Sequence, residues 1–405
     1  MERFQGLLGI LIIFALIFLF SRARTHIRWR TLGVGLALQV AFALLVLKWD
    51  VGFQVLVNIS EGVEKLSDFT NEGTSFIFGD LFSTDEDSFV FAFNVLPVII
   101  VLGAIIAALY YLRVIQYVVH YLGSAINYLM GTSKVEGVFA SSVIFLGQSE
   151  APLVVAPYLP KLTKSELFTC MTGGFASVAG STLLGYALLG APLEYLLAAS
   201  IMNAPGSLLV AKGLMPETEK SEVDATVKDV RDTESTNIID AVGKGAMSGG
   251  KIAVTVACLL IAFIAVIAML SAIIGGVGGW FGQDNWSLEG LFGIFFGPLA
   301  WVIGVPWEDA MQVGSFIAEK TIINEFVGFT SFSEVVDDLD PKSVMLSTFA
   351  LAGFANLSSI AIQIGAIGGL APERRPDVAK MGPFALIGGF MTNMLNAAIV
   401  GVVAF

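Results

Sequence analysis

The chain has 405 residues, 56% of them hydrophobic and 14% charged, with a formal net charge of −12 and a mean hydropathy of +0.80. A soluble globule carries about 25% charged residues, so this composition excludes a water-soluble fold and leaves an all-α polytopic membrane protein. The acidic balance argues against a nucleic-acid binder, and two cysteines in apolar runs argue against a disulfide scaffold.

A spanning helix needs roughly 20 mostly apolar residues. Such runs occupy residues 6–20, 31–48, 88–112, 165–189, 192–212, 251–275, 343–366 and 380–404. The first lacks a basic flank before it and has an Arg cluster after it, which fits a retained span better than a signal peptide. Residues 54–68 and 113–130 carry polar residues at helical steps along one stripe, and both read as interfacial helices. In the second, Arg113, Gln116, His120, Ser124 and Asn127 form the polar stripe. Ile115, Val118, Val119, Leu122, Ile126 and Leu129 form the apolar face. Segment 288–305 is apolar enough to span, but counting it would move Arg374, Arg375 and Lys380 outside. With eight spans and both termini outside the cytoplasm, 17 of the 22 basic residues fall inside, as the positive-inside rule requires. Segment 216–237 is polar and of mixed charge, and reads as a cytoplasmic linker.

Two stretches fail as spans. Residues 134–160 are apolar at both ends, with Gly147, Gln148, Ser149 and Glu150 in the middle and Pro152, Pro157 and Pro160 after them. Each half reaches about 18 Å as helix, halfway across a ~30 Å core. A re-entrant helical hairpin is expected, with Gln148 and Glu150 at its tip. Residues 306–335 repeat the pattern, with Asn324 and Glu325 inside an apolar second half. The order of span, flat helix, hairpin, span and span then occurs twice, in 88–213 and 251–405, entering from opposite sides. That is an inverted repeat, with the binding site expected at midplane between the halves. Residues 1–87 hold the N-terminal spans and an interfacial helix, and 214–250 the linker.

Intramembrane acids cost about 2.5–3.5 kcal/mol on insertion scales, so Glu150 and Glu325 point to function. The alternative is a structural acid bonded to free backbone at a hairpin tip. GFASVAGST (174–182) is rich in small residues. It packs helices closely, or its Ser177, Ser181 and Thr182 mark an unwound stretch. FANLSS (354–359) places Phe354 beside Asn356 and Ser359, which suits a ligand with a flat ring and a polyol. Interhelical hydrogen bonding is the rival explanation. No HExxH zinc motif and no nucleophilic triad points to an enzyme. A channel is disfavoured because no span carries a ring-forming polar stripe.

GQSEAPLVV (147–155), ELFTCMTGGFASVAGS (166–181), NEFV (324–327) and GFANLSSIAI (353–362) resemble the concentrative nucleoside transporters, as do NEGTSFIFG (71–79) and APERRPD (371–377). The resemblance covers essentially the whole chain, and its length resembles the bacterial members. It implies eight transmembrane helices, two re-entrant hairpins, a homotrimer in the plasma membrane and an elevator motion of a transport part against a scaffold part. It implies a nucleoside substrate, a coupling cation and no cofactor. Gly147, Gln148, Ser149 and Glu150 would face or tune recognition of the base, with Thr182 nearby. Glu325, Asn356 and Ser359 would bind ribose hydroxyls, and Phe354 and Ile360 would line base and sugar. Sodium-coupled members carry an Asn where this chain has Val143. The rest of that sodium site would be Leu146, Ser177 and Val178. Sodium wants oxygen ligands, as hard cations do, and Val143 offers none. Proton symport is therefore expected, with Glu150 or Glu325 as the protonatable group, and sodium symport is the alternative. A carrier of nucleobases or another small polar solute is the runner-up.

Overall fold

A computed structural model describes residues 2–79, 90–221, 223, 235–280 and 286–404. Much of the linker at 216–237 and the first residues of the run at 88–112 therefore lie outside the described residues. Every regular element among the described residues is helical. The first part of the chain forms α1 (Glu2–Phe20), α2 (Trp29–Leu47), α3 (Asp50–Phe78), α4 (Phe91–Asn94), α5 (Leu96–Tyr111) and α6 (Val114–Met130). Then come α7 (Lys134–Ser142), α8 (Ala151–Val154), α9 (Lys164–Ala176), α10 (Gly180–Ala187), α11 (Leu193–Leu214) and α12 (Ile238–Gly279). The last part forms α13 (Leu288–Val302), α14 (Trp307–Ile322), α15 (Glu325–Ser333), α16 (Pro341–Leu351), α17 (Leu357–Leu370) and α18 (Arg375–Val403).

All eight apolar runs fall on helices. Six stretches are long and apolar enough to cross a membrane among the described residues, or seven if α13 and α14, bent by 115°, count as one. The shortfall from eight has two sources. The first run, α1, is apolar over only Phe4–Phe20. The run at 343–366 is split by irregular backbone between α16 and α17. The run at 251–275 lies within the 42-residue α12, about 63 Å long at 1.5 Å per residue.

The stretch at 134–160 is less regular than two matched half-helices. Its first half is the nine-residue α7. Its second half is the single turn α8 followed by a 3₁₀ turn, Ala156–Lys161. Pro152, Pro157 and Pro160 remove backbone donors there and prevent a continuous α-helix. Both α7 and α9 start with capping boxes, Ser133 with Glu136 and Thr163 with Glu166, each satisfying two orphan N–H groups. Glu136 is also ion-paired with Lys212 at the end of α11.

α6 lies where the interfacial helix was expected, but its inner face is rotated from the sequence pattern. Ile115, Gln116, Val119, Gly123, Ile126 and Met130 are buried, whereas Val118 and Leu129 are exposed. A glycine pair sets the rotation. A Cβ on Gly123 would lie 2.8 Å from the Gly137 carbonyl of α7, so the two backbones touch along that line. Gln116 turns inward because its amide donates to the Tyr110 carbonyl at 2.9 Å.

The helices form two sets. In α9–α10, α11 and α18, 94%, 78% and 78% of the most apolar stretch is buried, and these helices make the core. For α12 and the α4–α5 stretch the figures are 17% and 22%. α5 and α12 cross each other closely, and glycines permit it. A Cβ on Gly103 would sit 2.8 Å from the Gly245 carbonyl, and one on Gly249 would sit 2.6 Å from the Ile99 carbonyl. Small residues at a crossing are how apolar helices approach where no hydrophobic effect drives them together. Gly249→Val is expected to cost about 1–3 kcal/mol through overpacking. Gly250→Val, where a Cβ meets nothing within 4 Å, is expected to be near neutral. Thermal midpoints of the two variants in detergent check this.

Candidate functional site

Two helix breaks and a broken helix pair build the site. α9 ends at Ala176, and Ser177 and Ala179 are extended (ψ 157° and 133°) before α10 begins at Gly180. α16 ends at Leu351, and α17 begins after Asn356, whose side chain accepts from the Ser359 N–H at 2.9 Å. The Phe354 N–H donates to the Ser177 carbonyl at 3.1 Å, so the two breaks are bonded to each other. The Gly180 N–H donates to the Phe145 carbonyl at 3.0 Å, which holds the tip of the 134–160 stretch against the first break. Between α14 and α15, Asn324 caps the new helix by accepting from the Val327 N–H at 3.0 Å.

The same three residues stand at both breaks in different states. Gly174–Phe175–Ala176 is the last part of α9, followed by Ser177. Gly353–Phe354–Ala355 is unwound, followed by Asn356. Phe175 is therefore fully buried, whereas Phe354 reaches a cavity.

That cavity has a volume of about 250 Å³ and lies where the tip at 147–150, both breaks, the start of α15 and the middle of α12 converge. Glu325 is its best-held acid. One carboxylate oxygen accepts from the Tyr186 hydroxyl at 3.0 Å and the other from the Asn356 amide at 3.0 Å. Across the cavity the Gln148 amide donates to the Ser359 hydroxyl at 2.6 Å. The Gln148 carbonyl oxygen is buried and has no hydrogen-bond partner among the described residues. Glu150 folds back so that its carboxylate accepts from the Gly147 N–H at 3.1 Å. The Thr182 hydroxyl donates to the Ala179 carbonyl at 2.9 Å. The walls thus offer two carboxylates, a free carboxamide oxygen, hydroxyls and the rings of Phe326 and Phe354, on backbone held by the hydrogen bonds between the breaks.

Nine of the ten residues singled out for ligand contact line this cavity: Gly147, Gln148, Ser149, Glu150, Thr182, Glu325, Phe354, Asn356 and Ser359. Ile360 does not. It sits one position round α17 from Ser359 and lies against α18, where a Cβ on Gly382 would be 2.9 Å from its Cγ2. Ile362 lines the wall instead. Val143, Leu146, Ser177 and Val178 are buried behind the wall at 0–3% exposure, and the Ser177 hydroxyl donates to the Gly174 carbonyl at 2.7 Å. Sequence reasoning missed Tyr186, which holds Glu325 from α10. It also missed the α12 wall, including Lys251 and Thr255. Tyr186 follows Thr182 by one helical turn, and on α12 Asp240, Lys244, Ser248, Lys251 and Thr255 recur at helical steps on one face; both were usable signals. Among the described residues no group of three or more His, Cys, Asp or Glu side chains is placed to hold a metal ion.

Apolar helices broken around a cavity that presents two acids and several amides are the architecture of a membrane transporter, and the relatives of this chain are transporters, not enzymes. The chain belongs to the concentrative nucleoside transporter family. Residues 195–401 match the family model described as Na+ dependent nucleoside transporter C-terminus, residues 8–81 its N-terminus, and residues 92–193 one described as nucleoside recognition. The chain is 49% identical over 402 residues to the uncharacterized transporter YutK of Bacillus subtilis, covering 99% of each. It is 42% identical to the putative nucleoside permease NupX of Escherichia coli, covering 99% of each. Its structure is similar to that of CNTnw in an inward-facing substrate-bound state, with a TM-score of 0.94 at 43% identity, covering 100% of this chain and 98% of the other.

Asn356→Ala removes both the cap of α17 and one donor to Glu325. A lost cap alone costs about 1 kcal/mol, so a lowered thermal midpoint is expected. Asn356→Ser, which can keep the cap, is expected to recover part of the loss, as scanning calorimetry of the purified protein would measure.

Proposed function

We propose that the chain is a secondary active symporter that imports nucleosides across the plasma membrane on a cation gradient, with the proton favoured over sodium. The observation that carries the substrate reading is the Glu325–Asn356 pair and the Gln148–Ser359 pair, joined through the Ser359 N–H on Asn356, lining one cavity, in a chain of the nucleoside transporter family. A carboxylate accepts two hydroxyl protons and a carboxamide both donates and accepts. Glu325 and Asn356, with Ser359, suit a ribose diol. Gln148, with its unpartnered oxygen, suits a base edge, together with Gly147, Ser149, Glu150 and Thr182. Phe354 supplies a ring face, and Ile362 in place of Ile360 the apolar contact. An analogue lacking a hydroxyl leaves buried acceptors unpaired, which is the source of selectivity. A bare nucleobase would leave the Glu325 set without work, and this disfavours that alternative.

The coupling reading rests on Val143. It is fully buried, and its side chain brings no oxygen to a site proposed with Leu146, Ser177 and Val178. The carbonyl of Ser177 already accepts from Phe354. In this reading Glu150 or Glu325 exchanges the proton. Sodium coupling is the second reading, favoured by the description of the family model.

The same proposal includes the finer architecture. Eight spans place both termini outside. Residues 134–160 and 306–335 are re-entrant hairpins. Residues 88–213 and 251–405 are inverted repeats, joined by the cytoplasmic linker 214–250 and preceded by the N-terminal unit 1–87. The α5–α12 pair acts as the fixed scaffold of an elevator and of a homotrimer. Its sparse burial and the buried core of the other set support that division.

Uptake of labelled uridine and adenosine into proteoliposomes tests the function. A pH gradient alone is expected to drive it and a sodium gradient alone is not. Sodium-driven uptake that Ser177→Ala abolishes would reverse the coupling assignment, and no uptake of either nucleoside would overturn the substrate. Val143→Asn is expected to add sodium dependence in the same assay. Tyr186→Phe removes a donor to a charged acceptor, worth about 1.5–3 kcal/mol. Nucleoside affinity is therefore expected to fall by roughly tenfold or more, while ring packing against Phe329 at 4.7 Å preserves the fold. Equilibrium binding reads the change.

A further inference from the structure

Lys320 has no part in the transport reading, yet it is among the most deeply placed charges in the molecule. Its side chain, on α14, is 0% exposed. The ammonium donates to the Ala350 carbonyl at 2.8 Å and to the Asn393 side-chain oxygen at 2.7 Å. Ala350 lies in the last turn of α16. The amide of Asn393, on α18, lies 3.0 Å from the Ala352 carbonyl at the end of α16 and 3.1 Å from the carbonyl of Ala176, the last residue of α9. The C-terminal ends of both broken helices therefore converge on one carboxamide and one ammonium.

Such helix ends carry unsatisfied carbonyls and roughly half a negative charge each. Half-helix ends of this kind are where transporters place coordinated cations. Here the place is already filled. The surrounding backbone is shaped for it: a Cβ on Gly353 would collide with the Asn393 carboxamide and lie 2.8 Å from the Ala176 carbonyl. Behind Asn393, Asn203 accepts from the Asn396 amide at 2.7 Å, and Asn396 accepts from Gln39 on α2. All four of these amide side chains are 0% exposed.

We propose that Lys320 is the tethered occupant of a monovalent-cation site made by the Ala350 carbonyl and the Asn393 carboxamide at the converging C-termini of α9 and α16. Its ammonium is a positioning group. It holds the two breaks at the spacing that lets the Phe354 N–H reach Ser177, and so fixes the cavity wall from behind. The site is distinct from the sodium-site position at Val143 and takes the chemistry of a primary alkylammonium: one positive charge with N–H donors.

The test truncates the tether and supplies the cation in solution. Lys320→Ala removes the equivalent of n-propylammonium. The full-length variant is purified in detergent and its thermal midpoint measured with propylammonium, with tetramethylammonium (equal charge, no N–H) and with neither. Without amine the midpoint is expected to fall by roughly 5 °C or more, for two lost charge-assisted hydrogen bonds. Propylammonium is expected to restore most of it, and tetramethylammonium none. Lys320→Met, which fills the same space without charge, is expected to be destabilised and to gain nothing from propylammonium. Recovery of folded Lys320→Ala only from membranes solubilised in propylammonium supports the site as well. Wild-type stability of Lys320→Met overturns it. So does a Lys320→Ala loss that propylammonium leaves unchanged, or a failure to recover that variant with or without the amine. Because the readout is stability, these outcomes do not depend on the substrate. A wild-type protein that binds no nucleoside would sink the transport reading and leave this one standing.

Discussion

Backbone that leaves helical geometry inside a membrane must find its hydrogen bonds within the protein or a cavity, because the lipid supplies none. The rest of this structure depends on how that constraint is met at two places. The breaks after Ala176 and Leu351 expose N–H and C=O groups, and the molecule bonds these to each other and to neighbouring tips. Phe354 donates to Ser177, and Gly180 to Phe145. Asn324 and Asn356 cap the helices that restart. With the backbone satisfied, the side chains at the same points are released to face a cavity. The site is thus a by-product of interrupted helices that have been made self-sufficient.

The polar side chains then divide the work between front and back. In front, Glu325 is oriented by Tyr186 and Asn356, and Gln148 by Ser359. Each contact joins segments far apart in sequence, so the geometry of the wall is a property of the assembled core. Behind it, Asn393 and Lys320 gather the helix ends that the breaks create. A buried polar group without partners costs several kcal/mol in hydrocarbon. This cluster is accordingly continuous rather than scattered, running from α2 through α18 and α11 to α14.

Much of this was legible from residue types. Glu150 and Glu325 stood out because acids in apolar runs are expensive, and both line the cavity. The run 174–182 left close packing and an unwound stretch both open, and helical geometry breaks at Ser177. The apolar–polar–apolar pattern of 134–160, by contrast, suggests two helical arms, and its prolines forbid a second arm of regular helix. Ile360 was misplaced because a motif lists neighbours in sequence, while a helix turns each neighbour by about 100°. Val118 and Leu129 were misjudged for a different reason: a glycine contact between α6 and α7 overrides the amphipathic pattern of either helix alone. Tyr186 and the α12 wall each carry a helical-period signal, but which helices meet, and so what those faces line, is set by packing that one segment does not show.

The Gly–Phe–Ala triplet at the two breaks has a wider consequence. The residues are identical, but unwinding begins after the triplet in one half and before it in the other. One phenylalanine becomes interior filling and its twin becomes a wall. Two segments of near-equal composition have therefore taken different tasks without exchanging their side chains, by shifting where regular structure stops. Aligning the two segments by letters alone would pair Phe175 with Phe354, although the backbone gives them different surroundings. Their difference is one of phase, written in the backbone, and it gives the cavity a distinct front and back.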